Sequence, residues 1–273
     1  MASIVSFTNS QMHYAHSIDH TKSEDYQLHC HTFYEIYYFI GGDVSYLVEG
    51  KRYKPTPNSL LLMPCKVFHG VKVESEESYE RFTLHFLEDV IPAEHRELLL
   101  SVFNGNGLYY QNVNDYRLPA FFEHLSDCVS MPEPLRWTAI VAELQALLSH
   151  LAYMAQSASS STPSEPIPQT VSRLISYLNS HYTEPVTLDG LSARFFISKH
   201  HLNKVFRKAT GTTVGEYVIY KRVIAAQQMI QNGMAATQAA IAAGFNDYSV
   251  FYRAYRRILG RSPVRERDAV ALT

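Results

Sequence analysis

Two stretches decide the fold: LSARFFISKHHLNKVFRKATG at residues 191–211 and AIAAGFNDYSVFYRAYRRILG at residues 240–260, one segment written twice, 49 positions apart. At that offset Ala193 falls on Ala242, Phe196 on Phe245, Ser198 on Asp247, Leu202 on Phe251 and Phe206 on Tyr255. Lys204 falls on Arg253 and Gly211 on Gly260. Each copy reads as a small apolar helix, a tight turn, a Ser or Asp suited to accept from the free amides of a new helix, a basic amphipathic helix, and a glycine stop. That is the helix-turn-helix plan, whose second helix enters the major groove.

The intervening segment supplies the spacing. TVGEYVIYKRVIAAQQMIQN, residues 213–232, carries apolar side chains close to helical period, lacks proline, and is followed by Gly233. A helix of that length spans about 30 Å. Successive major-groove faces lie about 34 Å apart, so one rigid spacer holds both recognition helices on one side of a duplex.

Charge divides along the chain. Residues 165–273 hold fourteen Lys/Arg against seven Asp/Glu, a net of +7, whereas residues 1–164 hold ten against nineteen, a net of −9. The near-neutral total of −2 hides this asymmetry. A basic half is the electrostatic footprint of phosphate binding, and the acidic half must do something else.

The run Gly244-Phe245-Asn246-Asp247-Tyr248-Ser249-Val250-Phe251-Tyr252-Arg253-Ala254-Tyr255, then Gly260-Arg261-Ser262-Pro263 and a trailing Arg265 or Arg267, resembles the C-terminal signature of AraC/XylS-type transcription regulators. The first copy, from Ile197 to Gly211, resembles the first helix-turn-helix of the same domain, and the resemblance covers about residues 168–267. Tyr255 stands where the family usually carries Phe, and His201 where an aromatic is common. The expected DNA-binding set is Ser198, Lys199, His200, Asn203, Lys204, Arg207 and Lys208 in the first copy, and Tyr248, Ser249, Val250, Arg253 and Arg257 in the second. His200, Asn203 and Lys204 share one helical stripe, with Leu202, Val205 and Phe206 on the other side. Asn pairs with adenine and Arg or Lys with guanine, so Asn203, Lys204 and Arg253 are the expected base readers. The alternative for Arg253 is a phosphate or the carboxylate of Asp247.

The remaining chain suggests a second domain. QSASSSTPSEPIPQ, residues 156–169, is rich in Ser and Pro and reads as a linker. The expected division is therefore 1–155, a linker at 156–167, and 168–273. No signal peptide is apparent at the start. The most apolar stretch, 139–155, contains Glu143, Gln145 and His150 and is expected to fall short of a membrane span. Three cysteines, Cys30, Cys65 and Cys128, form no even framework, as suits a reducing cytoplasm.

Residues 28–90 read as strands: 35–40, 44–48, 59–63 and 79–86, with a hairpin turn at 49–52. Short strands at regular spacing suggest a barrel or sandwich. The segment from His29 through His31 and Glu35 to Gly42 resembles the first cupin motif, and Pro64 followed by His69 a degenerate second one. AraC-type regulators often carry a cupin-like sensor here, so the two resemblances agree. Period-two alternation places His29, His31, Phe33, Glu35 and Tyr37 on one strand face. Joined by His69, that face is either a polar effector pocket or a site where three imidazoles and a carboxylate ligate a divalent ion. Segments 118–129 and 135–154 read as helices that cover the barrel or pair with a twin in a dimer.

The reading is thus an α+β two-domain chain: an N-terminal cupin-like β-barrel with following helices, and a C-terminal all-α domain of two helix-turn-helix motifs joined by a long helix. It implies a cytoplasmic transcription regulator, not an enzyme, with no assigned metal, cofactor or membrane. The implied partners are double-stranded promoter DNA, a small-molecule effector (sugar-like by the polar mix) held by His29, His31, Glu35, Tyr37 and His69, a second copy of the chain, and RNA polymerase. The rival reading is a metal-dependent cupin enzyme fused to DNA-binding helices.

Overall fold

The computed structural model describes residues 2–24, 26, 28–65, 67–104, 109–111, 113–157 and 168–263. Most of the expected linker, and both Arg265 and Arg267, lie outside the described residues. The chain forms two compact units. One comprises Met1–Gln27, Phe33–Tyr46 and Arg52–Ser164; the other comprises Leu28–Thr32, Leu47–Lys51 and Glu165–Thr273.

The strands are β1 (Ala2–Thr8), β2 (Met12–Asp19), β3 (Tyr34–Gly41), β4 (Val44–Val48), β5 (Lys51–Tyr53), β6 (Ser59–Met63), β7 (His69–Val73), β8 (Tyr79–Phe86) and β9 (Tyr109–Tyr110). They make a six-stranded sheet in the order β1-β2-β8-β3-β6-β9 and a three-stranded sheet in the order β5-β4-β7. β2, β8, β3 and β6 pair antiparallel with their neighbours in the larger sheet. The hairpin of β1 and β2 was not expected from sequence. MHYAHSID buries Met12 and Tyr14 on one side and Ala15 and Ser17 on the other, so no clean polar face marks it as a strand.

The larger sheet has two unlike faces. Ile36 and Tyr38 of β3, Leu60 and Leu62 of β6, Phe82, Leu84 and Phe86 of β8, and Met12 and Tyr14 of β2 form one apolar side. Helices α1 (Ala93–Leu100), α2 (Leu118–Val129) and α3 (Leu135–Ser157) supply further apolar side chains to the same core. Each fully buried Leu or Phe there stabilises by about 1.5–3 kcal/mol relative to exposure. α3 corrects one expectation: Leu135–Gln156, at mean hydropathy 1.2, is long and apolar enough to span a membrane. Its stripe of Ile140, Leu144, Leu147, Leu148, Leu151 and Met154 is instead buried in this core.

β3 begins at Tyr34 after a bend at Thr32 and Phe33, which interrupts the period-two alternation. His29, His31 and Phe33 are therefore not on its face, contrary to the sequence reading. Glu35, Tyr37 and Phe39 do share a face, the one opposite the helices.

The second unit holds α4 (Gln169–His181), α5 (Leu188–Phe195), α6 (Lys199–Thr210), α7 (Val214–Gln231), α8 (Ala236–Ala242) and α9 (Tyr248–Leu259). Thr187, Ser198, Thr213 and Asp247 each accept an amide at the start of a helix. At α7 the cap is reciprocal: Thr213 accepts from Glu216 N, and Glu216 reaches back to the Thr213 amide. The spacer helix has 18 residues, about 27 Å of axis.

The two copies differ at the turn. Phe196 ends α5 in a left-handed conformation, φ 56°, and is 95% exposed. In the second copy Gly244 takes that conformation, φ 93°, and Phe245 turns into the core. The equivalence of Phe196 and Phe245 read from the alignment therefore fails by one residue. A Cβ at position 244 would sit 2.4 Å from Thr183 O, so only glycine fits there.

Candidate effector and DNA-binding sites

Strand pairing lines up the polar face of the larger sheet. His13 stands opposite His85, and His85 opposite Glu35. His69 enters from β7 of the smaller sheet, and its Nε2 lies 2.8 Å from Glu35 Oε2. His69 Nδ1 lies 2.8 Å from Val67 O, which fixes the ring plane. His85 Nε2 is 3.2 Å from the same Glu35 oxygen, and the His13 and His85 rings stack at 5.5 Å. His69 is fully buried and Glu35 nearly so, the setting in which a carboxylate is costly unless partnered. Burial, then His85, lowers the pKa of His13, while Glu35 acts to raise it. His13 and His85 were not among the expected residues; the expected strands began at residue 28, and the cross-strand register that joins them to Glu35 is not local in sequence.

Tyr37 does not join this polar row. It is fully buried, its hydroxyl lies 2.9 Å from that of Tyr79, and its ring packs 4.4 Å from Tyr46. Burial raises both hydroxyl pKa values, that of Tyr79 to about 12. Tyr37 is thus a buried, neutral wall residue whose hydroxyl shares one hydrogen bond with Tyr79. His29 and His31 stand beside each other, ring centroids 5.4 Å apart, in the stretch before β3. Cys30, between the two histidines, is buried as a small apolar group.

In the second unit, α6 and α9 present their polar sides. Ser198 caps α6, accepting from His201 N at 3.3 Å. His200, His201, Lys204, Arg207 and Lys208 are exposed, while Leu202 and Phe206 are buried and Val205 is half-buried. Lys199 is paired with Asp189 at 2.5 Å on the surface. Asn203 is different: its Oδ1 accepts from Val214 N at 3.2 Å. That amide is a donor of the first turn of α7 with no partner inside its own helix. The expected adenine reader is thus turned toward α7, because the end of a neighbouring helix needs its oxygen.

α9 repeats the plan with fewer such ties. Asp247 Oδ1 accepts from Ser249 N at 2.6 Å and Val250 N at 3.0 Å. Those two bonds, Val250 first, with Arg253 nearby, hold the Asp247 carboxyl below its usual range. Tyr248, Ser249, Val250, Arg253, Arg256 and Arg257 are exposed, and Phe251 and Tyr255 are buried. Arg207, Lys208, Arg256 and Arg257 also lie in the last turns of their helices, where cations complement the helix dipole.

One cluster in this unit was not foreseen. The carboxylate of Glu49, at a left-handed turn residue, accepts from Tyr217 OH at 2.5 Å, Asn179 Nδ2 at 3.0 Å and Lys221 Nζ at 2.9 Å. Burial, then Glu49, pushes the Tyr217 phenol well up. The sequence reading gave residues 49–52 only a turn.

Residues 191–269 match the family described as a helix-turn-helix domain, and residues 14–161, more than half of the chain, match the AraC-like ligand binding domain. The HTH-type transcriptional regulator YbfI of Bacillus subtilis, uncharacterized, is 25% identical over 225 residues, 81% of this chain and 79% of that protein. The Msm operon regulatory protein of Streptococcus mutans is 25% identical over 101 residues, and there the match spans only 36% of the relative. Among solved structures, the DNA-binding domain of AdpA in complex with a target DNA is similar at 24% identity and a TM-score of 0.37, over 38% of this chain and 96% of that one.

Proposed function

Because the chain belongs to the AraC family of DNA-binding transcription regulators, with its ligand-binding domain at the N-terminal end, we propose that it sets promoter occupancy according to a small polar molecule. The molecule is taken at the polar sheet face, with Glu35 and His69 as anchors. The carrying observation is the Glu35–His69 pair: two polar groups, both deeply buried, 2.8 Å apart on a sheet face. A polar face of this kind suits a hydroxyl-rich compound that exchanges hydrogen bonds with it. On DNA, Lys204 and Arg253 read bases from exposed positions on α6 and α9, and the remaining basic groups position the duplex through its phosphates. The reading includes a cytoplasmic homodimer with RNA polymerase as a further partner; it assigns no catalytic residue.

A second reading makes the buried Glu35–His69 pair part of a divalent-cation site, a carboxylate and imidazole set that suits zinc, nickel, manganese or iron. Selection of bound sequences from a random DNA pool by the full chain, with mass spectrometry of small molecules and metals in the native protein, tests both readings. A recovered sequence consensus and a stoichiometric polar organic molecule are expected. Failure to enrich any sequence would sink the DNA reading, and a stoichiometric metal with turnover of an organic substrate would replace the sensor with an enzyme.

A further inference from the structure

The ligand-binding domain carries a second hollow, on the side of the larger sheet opposite Glu35. Strand pairing sets Val5 beside His16 and His16 beside Phe82. Tyr38 stands next to Phe82 on β3. This cross-strand row continues the apolar side of the sheet, and α2 lies over only part of it. A cleft of about 400 Å³ remains between the row and α2. That volume falls in the range of small-molecule sites, about 300–1,000 Å³.

The cleft has an aromatic floor and acidic walls. Tyr38 and Phe82 are buried beneath it, each ring centroid 5.1 Å from Phe122 of α2. The ring of His16 stacks on Phe82 at 4.1 Å, and its Nε2 lies 2.7 Å from Glu80 Oε1. Glu123 and Asp127 close the opposite wall from α2, one turn apart. Among the described lining residues there are three carboxylates, one imidazole, and no lysine or arginine. With Glu80 paired to His16, the carboxylates of Glu123 and Asp127 remain exposed on the wall, and a hollow of this kind fits an apolar body bearing a positive charge.

We propose that this cleft between the larger sheet and α2 binds a protonated amine carried on an aromatic ring. The ring enters beside the half-buried Val5, Ile40 and Pro119 and the outer face of His16, and the ammonium group faces Glu123 and Asp127. The site is separate from the polar face that carries Glu35, so the domain would read two ligands of opposite character.

Calorimetric titration of the full chain with tryptamine, and in parallel with indole-3-acetate, tests the proposal. Tryptamine should bind one to one, and indole-3-acetate, the same ring with the opposite charge, should bind far more weakly. The double substitution Glu123→Gln with Asp127→Asn removes two exposed carboxylates without disturbing the core. It should weaken tryptamine about fivefold or more while leaving the thermal midpoint unchanged. Absence of tryptamine binding at millimolar concentration, equal affinity for the two indoles, or undiminished affinity in the double variant would each overturn the assignment.

Discussion

Nε2 of His69, on one sheet, meets Oε2 of Glu35, on the other, at 2.8 Å with both side chains buried. Neither residue is near the other in sequence, and neither has bulk water to fall back on. Removing one partner leaves the other a buried, unsatisfied polar group, whereas an isosteric amide keeps a hydrogen bond. Glu35→Ala should therefore destabilise the protein by about 3 kcal/mol and Glu35→Gln by clearly less, read by urea unfolding. With the effector in hand, Glu35→Gln should abolish its influence on DNA affinity while DNA binding itself persists. Equal costs for the two substitutions would show that the pair contributes no specific hydrogen bond.

His13 gives the polar row a pH signature. Burial, and then His85, lower its pKa from the ordinary value near 6.5, with Glu35 pulling the other way. The folded state thus binds the His13 proton less readily than the unfolded chain. Above about pH 6.5 both states are neutral at this ring and it contributes nothing; as pH falls through that value only the unfolded chain gains the proton, and stability declines. Unfolding free energies of the wild type should fall between about pH 7 and pH 5.5, and His13→Gln should make that fall shallower. An identical slope in the variant would remove His13 from the account.

Much of this architecture was legible in the sequence because its signals are local. Ser198 and Asp247 announced α6 and α9, helical spacing marked α2 and α3, and β4, β6 and β8 fell where β-branched and aromatic runs end in turn residues. What was missed depends on neighbours distant in sequence. β2 is buried on both faces and shows no alternation. Phe196 and Phe245 look equivalent until the backbone places one in solvent and one in the core. His85 joins Glu35 only through cross-strand register, and Glu49 reaches Tyr217 across 168 positions. The candidate site was half visible: Glu35 and His69 were named from motif resemblance, but the period that carried His29 and His31 onto the same strand breaks at Thr32.

On α9, Arg253 is exposed and its planar guanidinium matches the two acceptors of guanine. Arg253→Ala should cost about 1–3 kcal/mol on the preferred sequence and relax discrimination at one base pair. A phosphate role has a different signature: affinity lost equally on all sequences, with the salt slope reduced by about one unit. Measuring the variant on preferred and scrambled duplexes across a salt series separates the two.

Asn203 occupies the matching stripe of α6 yet is tied to Val214 N at 3.2 Å, and this reverses what its removal should do. The amide it satisfies belongs to the first turn of α7, the helix whose length sets the distance between α6 and α9. Loss of such an acceptor costs about 1 kcal/mol. Asn203→Ala should therefore lower unfolding stability by about that amount, and Asn203→Asp, which keeps the acceptor oxygen, should recover most of it. Base preference should survive in both variants, because Lys204 on the next position remains exposed to carry it. If Asn203→Ala instead leaves stability untouched and changes the preferred sequence, the side chain leaves Val214 on binding DNA, and the adenine contact expected from its place on the helix is the one it makes.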